Sequence, residues 1–309
     1  MVYRKRRVGR DHEAMAGHVS EAARIVLFGV NGQLGHCLLN RFTDAGYEVT
    51  GIDRAQCDFA TATAKEIAVI IRAVEPQLVV NAAAYTAVDL AENETALAMR
   101  INAEIPQMMA HACAEQSVPF LHFSTDYVFD GARGAPYRED VATNPINAYG
   151  ASKLAGEVGV AKHGGYIFRL QWVYANRGKN FFLTMKKLLA ERDEVRVVAD
   201  QLGAPSHAAQ IAAAVVVAAP RIIAGDIPQG MYHLAASGHT SWHGFACAIA
   251  EASGCSPRVV PILTSEYPQA AARPKDTRLD TGALASYSIT MPHWCDGLAL
   301  AMKEPHADS

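Results

Sequence analysis

Residues 24–46 read RIVLFGVNGQLGHCLLNRFTDAG. The opening run is short, β-rich and ends in glycine, as a buried strand does. The residues after it carry apolar side chains at helical spacing and stop at Gly46. Three glycines, Gly29, Gly32 and Gly35, span the junction. Glycine there permits a tight turn and lets backbone amides approach a pyrophosphate, and the helix N-terminus adds a partial positive charge. Taken alone, the trio also suits a plain strand–helix turn. The next stretch, YEVTGID (47–53), reads as a second strand ending at Asp53, where an acidic residue can bind an adenosine ribose. Together these features predict a dinucleotide site at the first strand–helix junction, with Asn31, Gln33 and Leu34 in its turn.

Working outward, the alternation continues. A helix is expected from about Thr63 to Val74, a strand in QLVVNAAA (77–84), and a long helix from about Ala91 to Gln116. The strand VPFLHFS (118–124), a helix at Tyr149 and the strand GYIFRLQWVY (165–174) follow. Alternating strands and helices imply a parallel sheet covered on both faces. The fold class is therefore α/β, a doubly wound, Rossmann-like sheet. The second half is less regular. Helices are expected at Phe181–Arg192, His207–Ala219 and within SWHGFACAIAEASG (241–254), with strands in EVRVVAD, GMYHLA and RVVPIL. Short helices near Thr281–Tyr287 and Pro292–Lys303 finish the chain. The expected division is a basic extension at 1–22, a nucleotide-binding domain at 23–170, and a mainly substrate-binding lobe at 171–309 with excursions back to the first domain.

The chain has 309 residues, 50% hydrophobic and 19% charged, with net charge −3. That balance fits a folded α/β protein and gives no field for a nucleic-acid polymer. Six scattered cysteines contain no Cys-x-x-Cys pair, which argues against a metal knuckle and for a reducing, cytoplasmic setting. No apolar run approaches the roughly 18 residues of a membrane helix. The basic residues among 4–10 are followed by no apolar segment, so they are not read as a secretory signal.

Chemistry concentrates in STDYVFDG (124–131) and NAYGASKLAGE (147–157). Tyr149 and Lys153 are four residues apart, one helical turn on one face. An ammonium near a phenol favours the phenolate and lowers its pKa. Such a tyrosine can exchange a proton with an oxygen on a substrate carbon, and Thr125 can hold the same oxygen. Arg54 suits a 2′-phosphate or is a solvated loop arginine. Asp58, before Phe59, suits an adenine amine or a turn. Ala82, Ala83 and Ala84 leave room for a cofactor or for close helix packing. His239 and His243 are spaced like metal ligands but lack a third, so no metal is expected. Glu139–Asp140 reads as a solvated loop.

With GVNGQLG, NAAAYTAVDLAE, STDYVFDG, YRED, NPINAYGASKLAGE, RLQWVYANRGKNFFLTM, VVADQLGAPSHA, YHLAASGHTSW and RPKDTRLDT in order, the chain resembles the dTDP-4-dehydrorhamnose reductases. These are extended short-chain dehydrogenase/reductases. The resemblance implies reduction of the C4 keto group of dTDP-4-dehydro-β-L-rhamnose by NADPH or NADH. It puts Thr125, Tyr149 and Lys153 at catalytic positions, with Lys153 also on the nicotinamide ribose. It implies cofactor contacts at Gly29, Gly32, Gln33, Leu34, Gly35, Ala82, Ala83, Ala84 and Tyr85. It implies sugar-nucleotide contacts at Asp126, Tyr127, Trp172, Asn180, Gln201 and Arg273, in a monomer or homodimer. Trp172 equally suits a core position. Three features depart from the pattern: Cys37 stands where some members place a metal-binding glutamate, Gln171 where serine is usual, and the basic extension is extra. A dehydratase would follow Thr125 with Asp-Glu, but the sequence is Asp126-Tyr127. Another sugar-nucleotide reductase or epimerase, and a non-catalytic NADP-binding regulatory subunit, remain as alternatives.

Overall fold

The computed structural model describes residues 22–254 and 258–304. The basic extension expected at 1–22 therefore lies outside the described residues, except for Ala22. From Arg24 onward strands and helices alternate: β1 (Arg24–Phe28), α1 (Gln33–Asp44), β2 (Glu48–Ile52), α2 (Ala64–Val74) and β3 (Leu78–Asn81). Next come α3 (Thr95–Met99), α4 (Ile105–Glu115), β4 (Phe120–Thr125), α5 (Ala148–Ala161) and β5 (Tyr166–Leu170). The second half holds β6 (Val173–Tyr174), α6 (Phe181–Glu191), β7 (Glu194–Val198), β8 (Leu202–Gly203), β9 (Ser206–His207) and α7 (Ala208–Ala224). It ends with β10 (Gly230–His233), β11 (Thr240–Ser241), α8 (Trp242–Ala252), β12 (Arg258–Ile262), α9 (Gly282–Ala285) and α10 (Trp294–Lys303).

Six strands form one parallel sheet in the order β10-β5-β4-β3-β1-β2. Strand order reverses beside β1, which opens a crevice at the carboxyl ends of the strands. The register brings those ends level, pairing Phe28 with both Ile52 and Asn81, and Thr125 with Leu170. Gly29, Asp53, Ala82 and Asp126 thus emerge along one edge. Both sheet faces are buried. Ile25 and Leu27 pack with Leu38, Phe42, Ile211 and Val215, whereas Val26 and Phe28 pack with Ile67, Ile71, Met109 and Cys113. This is why β1 reads as an unbroken apolar run. A separate core joins Tyr174, Phe182, Phe245, Ile249 and Leu298.

Three elements differ from the sequence expectation. The run 165–174 is not one strand: β5 ends at Leu170, Trp172 takes a left-handed φ of 45°, and β6 pairs with β9. Gln171 anchors the break, because its amide reaches Asp126, Thr277 and Ala204. The helix expected to stop at Ala219 runs on through Pro220 to Ala224, where Gly225 at φ 75° caps it. The long helix contains a π turn at Arg100–Glu104. There the Asn102 side chain bonds the Tyr85 carbonyl and Ser152 at 3.0 Å each, and α5 packs so closely that a Cβ on Gly156 would meet the Asn102 carbonyl at 2.0 Å. Among the described residues, no helix is long and apolar enough to cross a membrane.

Candidate active site

A cleft of about 780 Å³ runs along the carboxyl edge of the sheet, from Asp53 past the glycine turn to Tyr149 and Trp172. At its floor Gly29 holds φ 83°, and a Cβ there would meet the Ala83 amide at 2.6 Å. That conformation and that approach both require glycine. α1 starts at a glycine N-cap with no side-chain cap, so its first-turn amides are left for a bound anion. Gly32, Gln33 and Leu34 line the cleft here. Gly35 does not line it: a Cβ at Gly35 would lie 2.0 Å from the Gly29 carbonyl, so this glycine lets helix and turn pack.

Asp53, Arg54, Asp58 and Phe59 line the outer end. Asp53 accepts the Ala55 and Gln56 amides at 2.9 and 3.1 Å, and Asn31 bonds its other oxygen at 3.3 Å. Arg54 bridges to Asp58 at 3.3 Å. The Ala60 amide, and then Arg54, lower the Asp58 pKa. Ala82, Ala83 and Ala84 also line the cleft. Tyr85 does not: its hydroxyl donates to Glu94 at 2.7 Å.

At the inner end α5 presents Tyr149 and Lys153 one turn apart. Asn147 caps this helix by accepting the Gly150 amide at 2.7 Å. Thr125, the last residue of β4, lines the cleft beside Tyr149. The sequence expectation that Lys153 lowers the tyrosine pKa is not met. Burial pushes Tyr149 up to about 12, the Thr125 hydrogen bond offsets part of this, and the Asp126 charge adds to it. Lys153 has other partners: its Nζ donates to the Phe123 carbonyl at 2.6 Å and lies 3.3 Å from His122 Nε2. Burial lowers Lys153 to about 8, against some support from Glu157. His122 is itself held on Asn81 at 3.2 Å. Burial, then the Lys153 charge, keep it well below its usual range.

A family model described as the RmlD substrate binding domain matches residues 23–306. A dTDP-4-dehydrorhamnose reductase of Burkholderia thailandensis is 42% identical over 296 residues, spanning 91% of this chain and 98% of that protein. The chain belongs to the dTDP-4-dehydrorhamnose reductase family. The Escherichia coli dTDP-4-dehydrorhamnose reductase is 36% identical over 293 residues, covering 91% of this chain and 97% of its own length. The Bacillus anthracis dTDP-4-dehydrorhamnose reductase, crystallised in complex with NADP, superposes with a TM-score of 0.86 at 34% identity, covering 92% of this chain and all of the other.

In this dTDP-4-dehydrorhamnose reductase family member the inner end of the cleft holds some groups that the sequence singled out and some that it did not. Asp126, Tyr127, Trp172 and Asn180 line the cleft. Gln201 and Arg273 do not. Gln201 accepts the Trp242 indole N–H at 3.1 Å and donates to Thr264, whereas Arg273 is tied to Asp89 at 2.8 Å and to the Ala271 carbonyl. Asn180 caps α6 and donates to Gln33 at 2.8 Å, joining the start of α6 to the glycine turn. Sequence reasoning missed Trp242, which stacks flat on Trp172 at 3.6 Å. It also missed Arg177 and Lys179, two cations in the cleft either side of Gly178. The signal was present, since two basic residues flank a glycine just before a helix cap. Among the described residues, no three His, Cys, Asp or Glu side chains cluster as metal ligands. His243 instead contacts the Val259 carbonyl and Cys247.

Proposed function

We propose that this protein reduces the C4 keto group of dTDP-4-dehydro-β-L-rhamnose to give dTDP-L-rhamnose. The observation that carries the reading is one continuous cleft with a glycine turn at one end and Thr125, Tyr149 and Lys153 at the other. NADPH or NADH is the cofactor, and the residues present fit it. The forced glycine at position 29, the uncapped start of α1 and the alanines after β3 leave space and free amides for a pyrophosphate. When bound, the cofactor supplies the hydride.

The protein's own groups supply the rest. Tyr149 gives its phenolic proton to the sugar O4 as the carbonyl becomes an alcohol. A phenol held near 12 stays protonated at neutral pH, which suits a proton donor in the reducing direction. Lys153 keeps the Phe123 carbonyl with one N–H and has others to serve the tyrosine and the cofactor ribose. Arg177 and Lys179 balance phosphate charge across the cleft. Residues 23–170 act mainly on the cofactor and 171–309 mainly on the sugar nucleotide, with β10 returning to the sheet.

The test is oxidation of NADPH, and of NADH in parallel, on addition of freshly generated dTDP-4-dehydro-L-rhamnose. Turnover is expected, with a loss of about 10²-fold or more in Tyr149→Phe and little change in cofactor affinity. A Tyr149→Phe protein with wild-type turnover would end this mechanism.

A further inference from the structure

The Asp126 carboxylate is buried beside Thr125, and each of its oxygens has a fixed set of partners. Oδ2 accepts the Thr277 hydroxyl at 2.5 Å and the Gln171 amide at 3.1 Å. The Gln171 amide is oriented by its own oxygen, which accepts the Ala204 N–H at 2.8 Å. Its nitrogen also donates to Thr277 Oγ1 at 3.0 Å, which sends the Thr277 proton to Asp126. The same nitrogen also reaches the Thr277 carbonyl at 2.5 Å, so its two N–H groups are shared among three acceptors, and the Thr277 hydroxyl is the firm donor on Oδ2. A proton taken up by this carboxyl goes to Oδ1, the oxygen that faces Thr125.

Thr125 has one proton and two lone pairs. One lone pair accepts the Tyr127 amide at 3.2 Å. Its proton goes to Asp126 Oδ1 at 3.1 Å, and Tyr149 lines the cleft with it. In this arrangement Thr125 has no proton left for a substrate oxygen. If Oδ1 carries a proton, it donates to Thr125, and the threonine hydroxyl is released to donate into the cleft.

We propose that Asp126 is a positioning residue that sets the direction of the Thr125 hydroxyl, and that Gln171 and Thr277 place its proton on the oxygen facing Thr125. Protonated Asp126 lets Thr125 and Tyr149 both donate to the sugar O4. Ionised Asp126 draws the Thr125 proton away. This rests on the reductase reading above. Burial raises the carboxyl to about 6, and the Thr277, Gln171 and Thr125 hydrogen bonds each work against that rise. The titratable groups facing it are the Tyr127 and Tyr149 phenols, whose own values its charge raises. On the next turn of α5, Lys153 is directed to the Phe123 carbonyl.

The experiment is the pH profile of kcat/KM for the full-length wild type, Asp126→Asn, Asp126→Ala and Thr277→Val. Wild type should decline as pH rises through the raised carboxyl range. Asparagine mimics the protonated acid, with its amide N–H toward Thr125 and its oxygen toward Thr277. Asp126→Asn should therefore keep most of the low-pH activity and lose that decline. Asp126→Ala should lose about tenfold or more at low pH, where wild type has the protonated acid, and should show no such decline as pH rises. Thr277→Val removes a hydrogen bond to the ionised form, so the decline should move up by about one pH unit. An Asp126→Asn enzyme as impaired as Asp126→Ala, or one that keeps the wild-type decline, overturns the proposal, as does an unmoved decline in Thr277→Val. An infrared carboxyl band that titrates in wild type and is missing from Asp126→Asn reads the same proton without turnover. If wild type itself is inactive on the sugar nucleotide, the reductase reading fails while the infrared titration still judges the carboxyl.

Discussion

Arg54 stands at the outer end of the cleft with its side chain 81% exposed, bridged loosely to Asp58. An exposed pair of this kind holds its partners weakly, so the guanidinium is free to swing onto a 2′-phosphate. The neighbouring carboxylate is less free. Asp53 already accepts two turn amides and the Asn31 amide, which blunts its repulsion of a phosphate. Arg54→Ala is therefore expected to weaken NADPH binding about tenfold, or about 1.4 kcal/mol, and to leave NADH nearly unchanged. Fluorescence titration of both cofactors decides it, and equal losses for the two would remove Arg54 from cofactor discrimination. At this scale the sequence was readable where one residue type is chemically forced, as at Gly29. It was unreadable where a partner decides the outcome. The phenol of Tyr149 rises because burial outweighs everything near it, and Lys153 is drawn off by a backbone carbonyl from β4.

Elements were legible wherever a single periodicity ran to its cap. α2 is capped by Thr63, whose hydroxyl accepts the Glu66 amide in a capping box, and it was expected within a residue of its observed start. The break after β5 was hidden, because 165–174 is mostly apolar and aromatic, as a strand is, and only long-range bonds to Gln171 bend it. The two-residue strands β8, β9 and β11 carry no local signal, since each exists only through its partner. The third glycine of the turn is an element-scale device. Gly35 sits in the first turn of α1, and any Cβ there runs into the Gly29 carbonyl at 2.0 Å and the Val30 Cα at 3.0 Å. Both neighbours are backbone, so the helix must move. Gly35→Ala is expected to cost about 1–3 kcal/mol by overpacking, despite alanine's better helix propensity. It should also loosen the cofactor by displacing the α1 amides. Urea unfolding with and without NADPH measures both effects, and a variant as stable as wild type would mean that α1 can shift without strain.

Acid stability is set by groups spread over the whole molecule. His122, His207 and His233 are buried on β4, β9 and β10. Burial holds His122 well below its usual value and His207 and His233 near 4; for His122 the Lys153 charge, and for His233 the Arg169 charge, add to that depression. An unfolded chain charges these imidazoles below pH 6.5 while the folded chain resists, so stability drops as pH falls from 6.5 toward 4. His36, lowered by burial and then by Arg177, adds the same sign. Asp126, raised to about 6, and Glu304, also raised by burial, act the other way, gaining stability as they are protonated. The raised thiols and phenols titrate in the alkaline range and do not enter this window, and neither does Lys153 near 8. At about 1.4 kcal/mol per pKa unit, three buried histidines outweigh one buried aspartate. The urea midpoint is expected to be lower at pH 5 than at pH 7, by a net few kcal/mol of unfolding free energy at constant m value. His233→Phe would remove one contributor and flatten the difference even if it lowers the midpoint at both values. A midpoint that is unchanged or higher at pH 5 would mean that these imidazoles gain protons in the folded chain, and that the sheet opens locally around them.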